Sequence, residues 1–217
     1  MIAARPVDLG FFAVYTIGFD LDMTLLDTRP GIAAAYRELS ARTGVHIDAE
    51  AAVARLGPPL EFELARWFPA AEVPAAVEAY RALYPAYAIT PSVPVPGAAA
   101  AVDAVRARGG RVIVITAKKG PLARLHLDHH GLAVDALVGL AWAEGKTAAL
   151  REHRVVLYVG DHVADMAAAR AAGVTAVGLA TGACTAEELR AAGAATVLPD
   201  LTGLARWLDL CWTPPPG

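Results

Sequence analysis

The sequence predicts an α/β fold: a parallel sheet covered by helices on both faces and interrupted once by an all-α insertion. Three observations carry that prediction. Beyond residue 97, short β-rich runs alternate with Ala-rich helical segments, and the runs are apolar on both faces, as strands of a doubly covered parallel sheet are. Between residues 30 and 90, apolar and charged positions mix at helical spacing with no strand pattern. The stretch "TPSVPVPG", residues 90–97, divides the two regions, because its prolines at 91, 94 and 96 cannot sit inside a helix and make a stiff, extended connection.

Taken in order, the chain opens with an apolar strand, residues 11–19, that runs into "FDLD". "GIAAAYRELSARTG" (31–44) reads as a helix closed by Gly44, a residue favoured just past a helix end. "DAEAAVARLG" (48–57) starts with Asp48 as its N-cap and stops at Gly57. "PPLEFELARWF" (58–68) and "PAAVEAYRALYPAYA" (74–88) give two more helices, each with proline in a tolerated opening position. Strands are expected at 111–116, 136–140, 155–161, 174–180 and 194–198. The layout is a Rossmann-like core of residues 1–26 and 93–217 with a helical cap at 27–92. An insertion placed directly after the loop of the first strand hangs over the carboxyl end of the sheet, where open α/β folds bind their ligands, so the cap would act as a lid.

The chain has 217 residues, 56% of them hydrophobic and 19% charged, enough for a substantial core and unlike a disordered composition. A formal charge of −3 with no basic run gives no electrostatic case for a nucleic-acid partner. Cys184 and Cys211 are too few for a disulfide scaffold, and a reducing compartment is the simpler reading. Arg5 precedes the apolar stretch as in a targeting segment, but Asp8 interrupts the approach and no small-residue cleavage site follows. No apolar run approaches the roughly 20 residues needed to span a bilayer. The expectation is a cytoplasmic monomer or homodimer with neither a membrane nor a nucleic-acid partner.

The first chemistry-bearing feature is the pair Asp20 and Asp22. Side chains alternate along a strand, so the two carboxylates point the same way. They repel, and neither is cheap to desolvate unless a cation sits beside them. Thr116 closes "VIVIT", Lys146 opens a helix in "AEGKTAAL", and Asp161 ends "LYVGD" with Asp165 four residues on. In a parallel sheet all of these converge on one edge. Two other patterns carry less. "EGKT" would complete a phosphate-binding loop only with glycine at position 140, which is Leu140. His126 and His130 share a helical face in "HLDHHG", but no glutamate follows the first and Gly131 marks a helix end. They read as solvated cations at the negative pole of a helix.

The set "FDLDMTLLDT", "VIVITAK", Lys146 and "VGDHVADMAAARAAG" resembles the haloacid dehalogenase-like superfamily, and within it the phosphoglycolate-phosphatase-like branch with a small helical cap. The resemblance covers essentially the whole chain. It implies a Mg²⁺-dependent phosphomonoester hydrolase acting on a small phosphorylated metabolite through an aspartyl-phosphate. Asp20 would be the nucleophile and Asp22 the general acid and base. Thr116 and the N–H of Ala117 would hold phosphoryl oxygens, and Lys146 would neutralise charge. Mg²⁺, which takes hard oxygen ligands, would sit on Asp20, the backbone carbonyl of Asp22 and Asp161, with Asp165 in support. Met23, Thr24, Ala117, Arg55 and Gly57 would face the substrate, the last two in the turn "RLGPPLEF".

Two positions depart from the family pattern. Met23 stands where glycine is usual, so the loop is expected to keep an ordinary backbone geometry, with Met23 lining the site. Thr147 follows Lys146 where many relatives have proline, which leaves Lys118 and Lys119 as alternative phosphate-neutralising residues. Arg29, Arg37, Arg55, Arg66 and Arg81 of the cap are candidate anion partners, since arginine forks suit carboxylate or phosphate. A phosphosugar mutase of the same family and an inert binding domain are the competing readings. A dehalogenase would lack Asp22, and a phosphonate-cleaving enzyme would need a cap lysine that residues 25–92 do not contain.

Overall fold

The computed structural model describes residues 15–211. Residues 11–14 of the apolar opening stretch, with Arg5 and Asp8, lie outside them. In chain order the elements are β1 (Thr16–Phe19), β2 (Leu26–Asp27), α1 (Arg29–Thr43), α2 (Ala49–Val53), α3 (Leu60–Leu64), α4 (Val73–Tyr87), β3 (Val93–Pro94) and α5 (Ala98–Ala107). There follow β4 (Arg111–Ile115), α6 (Gly120–His129), β5 (Ala136–Val138), α7 (Glu144–Glu152), β6 (Val155–Gly160) and α8 (Val163–Ala172). The chain ends with β7 (Thr175–Leu179), α9 (Ala186–Ala192), β8 (Thr196–Leu198), a 3₁₀ turn at Leu201–Gly203 and α10 (Leu204–Cys211). Six strands form one sheet in the order β5-β4-β1-β6-β7-β8, every pair parallel. No helix among the described residues is long and apolar enough to cross a membrane.

Alternation along the strands separates two apolar layers. Ile17, Phe19, Val112, Val114, Leu157, Val159, Val177 and Leu179 pack on one face against α5, α6 and α10. Ile113, Ile115, Tyr158 and Ala176 face the other way, onto α7, α8 and α9. Both faces are buried, which is why these strands read as continuous apolar runs. The cap helices α1 to α4 enclose a third cluster of their own around Tyr36, Leu39, Leu64, Val77, Tyr80 and Leu83.

The cap departs from the sequence expectation in two ways. Its second and third helices are single short turns, because Gly57, Pro58 and Pro59 interrupt the chain between them and the prolines supply no N–H to a continuing ladder. Moreover, the connection at 90–97 is not merely extended. Val93 and Pro94 pair antiparallel with Asp27 and Leu26, and the Val95 N–H donates to the Leu25 carbonyl at 3.0 Å. The two links between cap and core are therefore tied side by side. A two-residue strand containing proline carries no alternating pattern, so nothing in the sequence signalled it.

Gly31 shows how closely the cap helices meet at this junction. A Cβ there would lie 2.0 Å from the Ala88 carbonyl oxygen, so only glycine lets the start of α1 pass the end of α4. Gly31→Ala should force the two helices apart and cost about 1–3 kcal/mol, the usual range for overpacking. Urea unfolding would measure it, and an unchanged midpoint would mean the junction is looser than described.

Candidate active site

Because the strands are parallel, their carboxyl ends deliver side chains to one edge. Asp20 follows β1, Thr116 follows β4 and Asp161 follows β6, while Lys146 comes from α7 and Asp165 from α8. The Asp20 N–H donates to the Val159 carbonyl at 2.9 Å, extending the ladder to the end of β1. The chain then coils on itself, with the N–H groups of Leu25 and Leu26 both donating to the Leu21 carbonyl at 3.0 Å. Met23 in this loop has φ +59°, in the left-handed region, so the expectation of an ordinary backbone is overturned. The loop holds a side chain where glycine would be less strained because that side chain is buried. Its carbonyl also accepts from the Thr181 hydroxyl, and its N–H donates to the Leu26 carbonyl at 2.7 Å. Such surroundings fix a residue that would otherwise relax.

Three buried carboxylates gather around one lysine. Lys146 Nζ lies 3.3 Å from Asp20 Oδ1 and 2.5 Å from Asp165 Oδ1, above the Tyr158 ring. Asp161 Oδ1 accepts from the Thr24 hydroxyl at 2.8 Å, and Asp165 Oδ2 accepts from the His162 N–H at 3.1 Å. Asp20, Asp161 and Asp165 each bring a carboxylate oxygen to within 4.8 Å of the others. Burial, reinforced by the charges of Asp165 and Asp22, pushes the Asp20 carboxyl up to about 7 against the pull of Lys146. Asp161 is raised well above its ordinary range for the same reason, burial first and then Asp165 and Asp20. The attraction of Asp165 and Asp20 raises Lys146 despite its burial, so it stays charged. A hard-oxygen donor set carrying more negative charge than one ammonium can balance suits Mg²⁺. The backbone also closes tightly here: a Cβ at Gly182 would lie 1.9 Å from Asp161 Oδ2.

The Asp22 carboxylate turns away from this cluster. Its Oδ1 accepts from the Thr28 hydroxyl at 2.5 Å and from Lys118 Nζ at 2.5 Å. Burial pushes this carboxyl up, but the Lys118 ammonium and the two hydrogen bonds outweigh it and hold Asp22 below the usual carboxylate range. Lys146 and Lys118 are thus divided between the two aspartates rather than alternatives for one role. Thr116 is buried, and its Oγ1 accepts from the Lys118 N–H at 3.2 Å, which turns the loop so that Lys118 reaches Asp22.

Lys118 also carries the site into the cap. Its Nζ donates to Tyr84 Oη at 2.6 Å, Tyr84 Oη lies 2.9 Å from His126 Nε2, and Ser92 Oγ lies 3.0 Å from His126 Nδ1 and 2.9 Å from His130 Nε2. The reading of His126 and His130 as solvated cations is corrected here. His126 is fully buried, and burial together with Lys118 pushes it down to about 3, so it is neutral. No motif marks Tyr84 or Ser92, and the histidine spacing that marked His126 carried no sign of its burial. Their meeting depends on α4 packing against α6, which no local pattern encodes.

The turn at 55–62 does face the core. Gly57 has φ +136°, and a Cβ there would lie 2.8 Å from His162 Cδ2, next to Asp161. The cap arginines, however, already have acidic partners. Arg29 pairs with Asp27, Arg37 with Glu50, Arg55 and Arg66 with Glu63, and Arg81 with Glu61 and Glu78. Arg55 is bound as a fork, at 2.6 and 3.1 Å.

The raised Asp20 fixes a pH dependence without divalent cations. Below about pH 4 the carboxyl is protonated in both states. As pH rises toward 7 the unfolded chain has lost a proton that the folded chain still holds, so stability falls across that window. In EDTA, the wild type should lose stability between pH 5 and 8 relative to Asp20→Asn, which should unfold at equal or higher urea at pH 8. Parallel stability curves for the two proteins would contradict the burial-driven shift.

Comparison with known proteins agrees with this geometry. Residues 17–179 match the family model of the haloacid dehalogenase-like hydrolases. The chain is 33% identical to a phosphoglycolate phosphatase of Rhodospirillum rubrum, over 92% of this chain and 91% of that one. It is 30% identical to a 5′-nucleotidase of Pseudomonas aeruginosa, over 88% and 94%. A haloacid dehalogenase-like family hydrolase from Streptococcus pneumoniae superposes with a TM-score of 0.78 at 23% identity, covering 90% of this chain and 98% of that one. On the family match and the two curated relatives, the chain belongs to the haloacid dehalogenase-like hydrolases and is a phosphatase of that family, acting on phosphoric monoesters.

Proposed function

We propose that the protein hydrolyses the monoester of a small phosphorylated metabolite in two displacements at Asp20, with Mg²⁺ as cofactor. The observation that carries this is the division of charge between two neighbouring aspartates: Asp20 lies with Lys146 among the buried carboxylates, while Asp22 stands apart with Lys118. In the first step an Asp20 carboxylate oxygen attacks phosphorus. The bond from phosphorus to the ester oxygen breaks as Asp22 gives its proton to the departing alkoxide. In the second, Asp22 takes a proton from water, the hydroxide oxygen attacks phosphorus, and the acyl–phosphate bond breaks to free Asp20 and inorganic phosphate.

A substrate oxygen arriving beside Asp22 displaces Lys118 and removes the interaction that holds this carboxyl down, which lets it carry the proton. Lys146 offsets the charge on Asp20, and Thr116 Oγ1 with the Ala117 N–H receives phosphoryl oxygens. Mg²⁺ on Asp20, Asp161 and the Asp22 carbonyl, with Asp165 behind, would supply positive charge to the phosphoryl group. The Thr24 hydroxyl is committed to Asp161, so it holds a metal ligand rather than substrate. Met23 is buried and serves the loop. The names of the two curated relatives support a phosphatase of small metabolites. A mutase would have to seat a second phosphoryl group in the cap, and the pairing of all six cap arginines with acids, Arg42 with Glu38 among them, speaks for hydrolysis.

Asp20→Asn should abolish phosphate release from every ester. Asp22→Asn should slow alkyl phosphates by about 10²- to 10⁴-fold, and p-nitrophenyl phosphate much less, because its leaving group scarcely needs a proton. Steady-state kinetics with Mg²⁺ would check both. A tenth of wild-type activity retained in Asp20→Asn, or equal losses on the two ester types in Asp22→Asn, would remove the respective role.

A further inference from the structure

The cap and the loop after β4 enclose a cavity of about 460 Å³. Ala117 and Lys118 form its core side, and Lys118 is the residue that holds Asp22. Lys118 therefore stands between the cavity and the proposed proton donor Asp22. The cavity walls are aromatic and aliphatic. Tyr36 and Tyr80 stand 4.8 Å apart between ring centroids, Tyr80 and Tyr84 5.6 Å apart, and all three are buried. Phe62 also lines the cavity and is 62% exposed, a large apolar residue left facing solvent.

The charged residues of the lining are largely matched. Arg55 forks onto Glu63, which also accepts from Trp67 Nε1 at 2.9 Å and is only 12% exposed, so drawing Arg55 away would leave a nearly buried carboxylate uncompensated. Arg81 is held by Glu61 at 2.8 Å and Glu78 at 3.1 Å. Lys119 is the one lining cation without an ionic partner among the described residues. A two-carbon hydroxy acid would leave most of this volume as water against aromatic walls, whereas cavities of about 300–1,000 Å³ hold drug-sized ligands. A second phosphoryl group would meet one cation, Lys119, without an ionic partner among the described residues.

We infer that the leaving-group pocket is built for an uncharged, ring-bearing alcohol, so that the preferred substrates are phosphomonoesters of nucleoside-like alcohols rather than of small hydroxy acids or sugar bisphosphates. This rests on the phosphatase reading above and names the substrate class of that same site. Packing of a flat ring against the exposed Phe62 and the half-buried Leu56 and Leu60 would supply binding energy remote from phosphorus, which positions the reacting group.

The test compares kcat/KM with Mg²⁺ on uridine and adenosine 5′-monophosphates, ribose 5-phosphate and phosphoglycolate. Ribose 5-phosphate keeps the primary alcohol of the nucleotides and lacks only the ring. At least one nucleotide should exceed both smaller esters by about tenfold or more, the scale of a hydrophobic pocket's discrimination. Phe62→Ala, at an exposed position, should cut that ratio several-fold, chiefly through the nucleotide. The free nucleoside, without phosphate, should competitively inhibit ribose 5-phosphate hydrolysis and do so more weakly in the variant. Phosphoglycolate or ribose 5-phosphate turned over as well as both nucleotides would overturn the pocket assignment and leave the phosphatase reading standing. Hydrolysis of none of the esters would overturn both.

Discussion

Lys146 is the only cation among the described residues within ion-pair distance of Asp20 and Asp165, and none is that close to Asp161. Three carboxylates and one ammonium, all buried, leave an excess of negative charge in a medium that tolerates it poorly. Much of the surrounding architecture serves to hold that imbalance. The order β4-β1-β6-β7 lines up adjacent strand ends, so Thr116, Asp20, Asp161 and the 181–182 turn arrive side by side. Glycine at 160 and 182 lets carboxylates lie directly against backbone, since a Cβ at Gly160 would be 2.4 Å from Asp165 Oδ2. Hydrogen bonds from Thr24 and the His162 N–H then fix Asp161 and Asp165 in place.

The second ion pair has a different consequence. Asp22 and Lys118 belong to the core, but Lys118 is also bonded to Tyr84 of the cap, and Tyr84 leads back to the core at His126, which also meets Ser92 at the end of the cap. The cap is therefore tied to the core at two places: the paired links β2 and β3, and this polar chain. Since Lys118 borders both Asp22 and the cavity, anything that fills the cavity also acts on the partner of the proposed acid. In the proposed reaction, leaving-group recognition and leaving-group protonation would share one residue.

Much of this was legible in the sequence because strand ends are. Apolar runs that stop at Asp20, Thr116 and Asp161 put their last residues at the same edge of any parallel sheet, and Lys146 and Asp165 lie in the first turns of helices that follow. Met23 was misjudged because burial and the Thr181 hydrogen bond impose a left-handed backbone that local preference argues against. His126 in "HLDHHG" looks like a solvated cation on its own helix, and only the packing of α4 shows it buried and neutral. Residue type alone made Arg29, Arg37, Arg55, Arg66 and Arg81 look like anion receptors. Their glutamate and aspartate partners, some distant in sequence, take up that capacity, as Arg81 with Glu61 shows.

The central claim is that the buried acidic cluster is incomplete without a divalent cation. Calorimetric titration of Mg²⁺ near pH 6.5, repeated in buffers of different ionisation enthalpy, tests it most directly. With the Asp20 carboxyl raised to about 7, a fraction of the protein holds a proton there that the incoming cation must expel. The account predicts saturable binding accompanied by proton release that shrinks as pH rises above 8. Absence of binding, or binding with the same heat in every buffer at pH 6.5, would contradict it.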